Sequence, residues 1–188
     1  MRIQTEIVSR DYTGLIDEAE LKEFLRFDGT DQDTTIPILI EQACILAEDW
    51  CHRSFGNNVY KMQFIGFDIF GCKMRLDKGP IIDVTEVKFI ASNGDETVLT
   101  EGDDYVITGL TTKYITLLNN SISTGNVDPT VEVTYSAGNP TPSDVDNAVR
   151  GAIFKIVTDS FEFRDNTMAG SVMTIPQNAF VSLASYRL

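Results

Sequence analysis

The sequence predicts an α+β fold: a helical body of three long helices, an inserted small antiparallel β module and a C-terminal docking arm. Three observations carry that expectation. Apolar residues recur at 3.6-residue spacing in residues 16–55 and again in 145–161, whereas between residues 58 and 138 they alternate with a period near two. The strand-like runs form one block flanked by helices, without the βαβ alternation that a parallel sheet requires. The 188 residues, 43% of them apolar, are enough to build a core for one domain carrying an inserted module. The chain then divides into residues 1–57, an N-terminal arm and helical hairpin; 58–138, the β module; 139–165, the third core helix; and 166–188, a flexible link and docking segment, all within a single compact domain.

Residues 1–10 alternate Ile3, Thr5 and Ile7 with polar neighbours, so they read as a short strand or as an extended arm lying against another surface. The first helix begins after Asp17. Asp17 and Glu20 have capping-box spacing, and Ile16 and Leu21 occupy the two hydrophobic-staple positions. Leu21, Phe24 and Leu25 share one face, and Phe27-Asp28-Gly29-Thr30-Asp31 carries the breakers that end this helix and the caps that begin the next. The second helix puts Ile36, Leu39, Ile40, Ala43, Leu46, Ala47 and Trp50 on a broad apolar stripe, with Glu41, Glu48 and Asp49 on the other side. Pro37 belongs in a first turn, so this helix starts no earlier than about residue 33, and Gly56 ends it.

The β module follows. Residues 59–67 and 72–76 read as strands around Asp68-Ile69-Phe70-Gly71, and Gly79-Pro80 is a turn leading into 84–91. Asn93-Gly94 favours a type I′ hairpin turn, so 96–99 pairs back on 84–91. Two more strands, 104–108 and 113–118, flank Gly109-Leu110; 119–129 is a polar loop; 130–135 closes the block with Val131, Val133 and Tyr135 alternating. That makes six or seven short strands. Phe64, Phe67, Phe70 and Phe89 fall within them as core residues, because a base-stacking surface would interleave Lys and Arg.

After Gly138-Asn139-Pro140-Thr141-Pro142, Ser143 is a natural N-cap. Val145, Ala148, Val149, Ala152, Ile153, Ile156, Val157 and Phe161 then form a stripe about four turns long. Residues 166–175 are small and polar and read as a link. Pro176 opens a short last helix over 177–186, with Phe180, Leu183 and Ala184 on one face. A segment this brief is not stable alone in water, so it needs a surface, from its own subunit or from a neighbour.

Charge and residue inventory exclude several functions. With 28 acidic and 15 basic residues the formal net charge is −13, which leaves no long-range attraction for DNA, RNA or anionic lipid. Cys44, Cys51 and Cys72 lack metal or redox spacing and fit a reducing compartment. Nothing resembles a signal peptide, and no apolar run approaches the roughly 20 residues needed to span a bilayer. His52 is the single histidine; beside Cys51 at a helix end, it fits a favourable dipole contact better than a Cys–His pair. Asp95-Glu96 with Glu101, Asp103 and Asp104 lacks the alternating ligands of a calcium loop and reads as acidic hairpin turns. Ser54 and Ser136 have no nucleophile-elbow context, and no phosphate-binding glycine loop is present. The chain is therefore expected to be no enzyme, with no catalytic residues, no cofactor and no metal.

The run Leu76-Asp77-Lys78-Gly79-Pro80-Ile81-Ile82-Asp83-Val84-Thr85-Glu86-Val87, followed by Asn93-Gly94, Leu99 and Asp104-Tyr105, resembles the central segment of the tailed-bacteriophage head-tail connector (adaptor) family, the neck ring proteins beneath the portal. Further motifs agree in the same order: Leu21-Lys22-Glu23-Phe24-Leu25-Arg26 with Asp28, Asp31 and Asp33; Glu48 and Arg53; Val133-Thr134-Tyr135-Ser136-Ala137-Gly138; and Leu183-Ala184-Ser185-Tyr186-Arg187. Cys51-His52 departs from the usual Thr-Gly. The resemblance implies a structural, non-enzymatic adaptor that forms a homo-oligomeric ring, commonly twelvefold, in the virion neck. Its partners would be the portal protein above and a head-closure or tail protein below. DNA would pass through the lumen without specific binding, no membrane would be involved, and assembly would take place in the host bacterial cytoplasm. It also favours a portal or intersubunit contact for the C-terminal segment, through Phe180, Leu183, Tyr186 and Arg187. The competing expectation, from a different class, is a ligand- or glycan-binding β module on a helical scaffold.

Overall fold

The computed structural model describes residues 2–66, 72–118, 129–162 and 177–187. The chain folds as two compact units, Met1–Asp11 with Asn57–Pro140, and Tyr12–Gly56 with Thr141–Leu188. Each has its own apolar core.

The first unit is all β. Its larger sheet has five antiparallel strands in the order β1 (Arg2–Ser9), β2 (Asn57–Ile65), β8 (Thr130–Gly138), β4 (Ile81–Ile90) and β5 (Glu96–Val98). A second sheet pairs β3 (Met74–Arg75), β7 (Tyr114–Leu117) and β6 (Tyr105–Thr108). Period-two patterning decides the faces. In the central pair, Tyr60, Met62 and Phe64 lie opposite Tyr135, Val133 and Val131, and all six are buried. Tyr60 and Tyr135 stack with ring centroids 5.7 Å apart, and the Tyr135 hydroxyl donates to the Asp77 carbonyl at 3.0 Å. Asn93-Gly94 does turn β4 into β5, but not as the expected type I′ turn: Gly94 has φ +91° while Asn93 keeps a negative φ, the Gly94 amide donates to the Ala91 carbonyl and the Ala91 amide to the Asp95 carbonyl. Gly109 has φ +102°, and an added Cβ would lie 2.1 Å from the Thr112 carbonyl oxygen, so only glycine fits the β6–β7 turn.

The second unit is helical. Helix α1 (Glu18–Leu25) starts at Asp17, whose carboxylate accepts from the Ala19 amide, and it ends at Arg26 in the left-handed region. Glu20 does not complete a capping box; it pairs with Arg150 at 2.5 Å. Helix α2 (Ile36–Cys51) has Pro37 in its first turn, and its buried face is Ile36, Ile40, Ala43, Cys44, Ala47, Glu48 and Cys51. Leu39, Leu46 and Trp50 are only partly buried, so the packed stripe is rotated towards the two cysteines. A 3₁₀ turn over Pro142–Asp144 precedes α3 (Asn147–Glu162), capped by Asp146 through the Ala148 amide in place of the expected Ser143. Helix α4 (Gln177–Leu183) is followed by a 3₁₀ turn over Ala184–Tyr186.

The expected body of three long helices with a small inserted β module is corrected. Only α2 and α3 are long, at 16 residues each; α1 has 8 and α4 has 7. Helix and strand contribute about equally, and the described strands number eight in two sheets. The miscount has a physical source. The first helical pattern stops at Leu25 because Arg26 turns left-handed, and residues 2–9, legible as a strand or an arm, pair with β2 from Val59 to Ile65. Ala179 and Leu183 are fully buried in the helical unit's own core, so α4 finds its surface there. The expected strand end at Phe67, the turn around Phe70, most of the 119–129 loop and the 166–175 link lie outside the described residues.

Candidate functional site

At the C-terminal end of α2 the chain must turn out of a helix, and the turn is held by one buried acid. His52 adopts the left-handed C-cap conformation, and the amides of His52 and Arg53 close on the Glu48 carbonyl. The Glu48 side chain, 4% exposed, then accepts from the amides of Phe55 at 2.6 Å and Gly56 at 3.1 Å and from the Tyr12 hydroxyl at 2.8 Å. A carboxylate binding these donors fixes the residues after the helix as firmly as the helix itself.

The four expected interaction residues gather around the same end. The Phe180 ring lies 5.0 Å from Trp50, and the Arg187 guanidinium sits 5.4 Å from the Trp50 ring centroid, within cation–π range. Tyr186 packs edge-on to Phe55 at 6.4 Å and donates its hydroxyl to Asp146 at 2.5 Å. That bond holds the Asp146 carboxyl below the usual carboxylate range and pushes the Tyr186 phenol up. Leu183 is fully buried, and its carbonyl accepts from the Cys51 thiol at 3.8 Å. The structure thus brings Phe180, Leu183, Tyr186 and Arg187 together on Trp50, Cys51 and Phe55, with Arg187 exposed.

The candidate chemistry is not assembled among the described residues. Burial pushes the Cys51 thiol up to about 11, against the opposing pull of Arg53 and Arg187, and burial raises Cys44 still further. Both stay protonated at neutral pH and are poor nucleophiles. Cys51 is buried while the adjacent His52 is exposed, so they do not form a pair. Asp95 bonds Asn93, and Asp104 accepts from the Thr100 amide at 2.9 Å: these acids build turns. No group of three or more His, Cys, Asp or Glu could hold a metal among the described residues. Ser54 is fully buried and Ser136 lies within β8. Phe64 and Phe89 are core residues, while Phe67 and Phe70 lie outside the described residues. No described helix is long and apolar enough to cross a membrane.

The β unit offers two kinds of surface. Across the solvent-facing side of its larger sheet, Glu132 binds Lys61 at 3.3 Å and Gln63 at 2.8 Å, and Lys88 bridges Glu86 and Glu96. An open groove there is lined by Gln4, Thr5, Glu6, Lys61 and Gln63, with no aromatic platform of the kind a sugar ring stacks on. The sheet edges differ. Ile3, Ile7 and Val8 of β1 are 47, 40 and 55% exposed, and Val98 of β5 is 61% exposed. Sequence alternation revealed the β1 strand but not that its apolar residues stay uncovered, which depends on where the opposing layer ends.

No family model matches the sequence, and no curated protein matches it. Solved structures do match in fold. A chain of the virion of a native gene transfer agent particle superposes with a TM-score of 0.76 at 16% identity, covering 98% of this chain and 95% of that one. Chains from the neck of the empty particle, computed with C6 symmetry, and of the native particle, computed with C12 symmetry, give 0.72 and 0.69 at 16% identity. Each covers 100% of this chain and 95% of its own length. At that identity the likeness is one of fold.

Proposed function

We propose that the chain is a structural head-to-tail adaptor of a tailed phage or phage-like particle: a subunit of an oligomeric ring, twelvefold in the virion neck. The ring lies beneath the portal protein, extends the DNA channel and bridges to a head-closure or tail protein. Assembly takes place in the host bacterial cytoplasm. The observation that carries the reading is the fold shared end to end, across both units, with chains of particle and neck structures. The ordered sequence motifs agree with it, and the described residues gather no catalytic constellation. An acidic chain suits a channel that DNA must traverse, because it does not hold phosphates. In this reading the surface built by Phe180, Tyr186 and Arg187, seated on buried Leu183, faces the portal or a neighbouring subunit, with exposed Arg187 as its charged contact. The ligand- or glycan-binding alternative finds no support in the polar, aromatic-free groove.

Co-expression with the portal protein of the same particle tests the reading. Purified particles viewed by electron microscopy are expected to show a ring of this chain stacked on the portal. A chain that stays monomeric and does not co-purify with portal refutes it.

A further inference from the structure

A closed ring needs two different surfaces on each subunit, one matching the other on the next copy. We propose that these are the two edges of the five-stranded sheet, β1 of one copy meeting β5 of the next; the inference rests on the ring reading above.

The first edge is apolar where it has no reason to be so in an isolated subunit. In β1, Ile3 lies opposite Phe64, Thr5 opposite Met62 and Ile7 opposite Tyr60. Opposed residues share a face of the sheet, and these three partners are buried. The core-facing layer therefore continues one strand beyond its cover, leaving Ile3 and Ile7 exposed, with Val8 beside them at the irregularity between Ile7 and Ser9. The strand is eight residues long and contains no proline to blunt it.

Charge identifies the occupant. Arg2 opens β1 and Arg10 follows its end. The opposite edge carries exposed Val98 within a stretch, residues 95–104, holding Asp95, Glu96, Glu101, Asp103 and Asp104 and no Lys or Arg. One edge is an apolar strand with basic ends, and the other is an apolar point among acids. A symmetric β1–β1 pair is disfavoured, because antiparallel pairing would set Arg2 against Arg10 of the second copy at both ends.

Strand direction also fits. Every neighbour in the five-strand order is antiparallel, so the two edge strands run the same way. A small rotation from copy to copy therefore joins β1 to β5 in parallel, with acids before and after Val98 towards the arginines at the two ends of β1. Since β5 has three residues, the backbone ladder is short and side chains supply most of the contact.

The test uses two full-length variants, each with one edge blocked: Ile3→Asp with Ile7→Asp, and Val98→Asp. All three positions are exposed, and circular dichroism checks that both variants fold. Mass photometry and sedimentation velocity of the wild type are expected to show concentration-dependent association. Each variant alone should associate at least about tenfold more weakly. Mixed one to one, they should form a species of twice the subunit mass and nothing larger, since each supplies the edge the other lacks. Should a blocked variant misfold, Arg2→Glu with Arg10→Glu replaces it, and adding Glu101→Lys with Asp103→Lys to the same chain should restore association. Wild-type-like assembly by both variants, or a mixture that stays monomeric, overturns the edge-to-edge join while leaving the ring reading to its portal test. A wild type that stays monomeric at several hundred micromolar also overturns the join. Rings on portal that survive both blocked edges place the contact elsewhere.

Discussion

Replacing Glu48 by alanine should unlock the helical unit more than any surface change of similar size. The side chain is 4% exposed and accepts hydrogen bonds from the amides of Phe55 and Gly56 and from the Tyr12 hydroxyl. Truncation leaves two buried amides without that acceptor, at about 1–3 kcal/mol each, and a part-buried hydroxyl that costs less. The expected loss is about 3–6 kcal/mol, equivalent to roughly 6–24 °C in thermal midpoint for a chain of this length. Glu48→Gln is the informative control. Its carbonyl oxygen can still face the two amides while its NH2 donates to the Tyr12 oxygen, so it forfeits mainly the charge assistance, about 1–2 kcal/mol. Scanning calorimetry of wild type, Gln and Ala variants at pH 7 should rank them in that order. An alanine variant melting within about 2 °C of wild type, or indistinguishable from the glutamine variant, would refute the view that this acid holds the turn after α2.

Two further outcomes follow from the same accounting. Because Tyr186 holds Asp146 below its ordinary range, the bond contributes stability that is present above the unfolded carboxyl value near 4 and is lost as pH falls through the lowered folded value. Tyr186→Phe should therefore lower the midpoint at pH 7 and converge on wild type at strongly acid pH; parallel curves across that range would contradict it. Duplex DNA should not be retained at physiological salt by a chain of net charge −13, so a salt-sensitive gel shift at micromolar protein would count against an acidic channel wall.

Most local signals were legible where they are self-contained, although the cap of α3 is Asp146 and not Ser143. Asp17 caps α1, Pro37 sits in the first turn of α2, and Asn93-Gly94 turns β4 into β5, because each depends on groups within a few residues. What else failed depends on distant partners. Glu20 has capping-box spacing yet goes to Arg150, 130 residues away, where a guanidinium competes better than a backbone amide. Glu48 sits on the polar side of the helical pattern, but the loop it binds bends back over it and makes it core. The candidate surfaces follow the same rule. Leu183 was legible as apolar, but only tertiary packing shows that it turns inward, just as only pairing with β2 shows that Ile3 and Ile7 share the core-facing side.

The acidic excess bears on function through what the acids are already doing. Asp17 and Asp146 cap helices, Glu48 fixes a turn, Glu132 ties β2 to β8, and Asp95 and Asp104 close hairpins. Acids committed to backbone amides and neighbouring cations are not free to relay protons, and a chemical reading gains nothing from their number. The collective effect of a net charge of −13 is repulsion of phosphate and of like-charged copies. Subunits carrying such charge associate only where that repulsion is locally reversed. In the β unit the reversal lies at Arg2 and Arg10, flanking the uncovered Ile3 and Ile7, while the acids around Val98 mark the opposite edge of the same sheet. Those edges are unlike in composition, and an odd number of antiparallel strands makes them alike in direction. A head-to-tail ring requires two unlike, complementary surfaces, whereas a twofold dimer would need one surface complementary to itself.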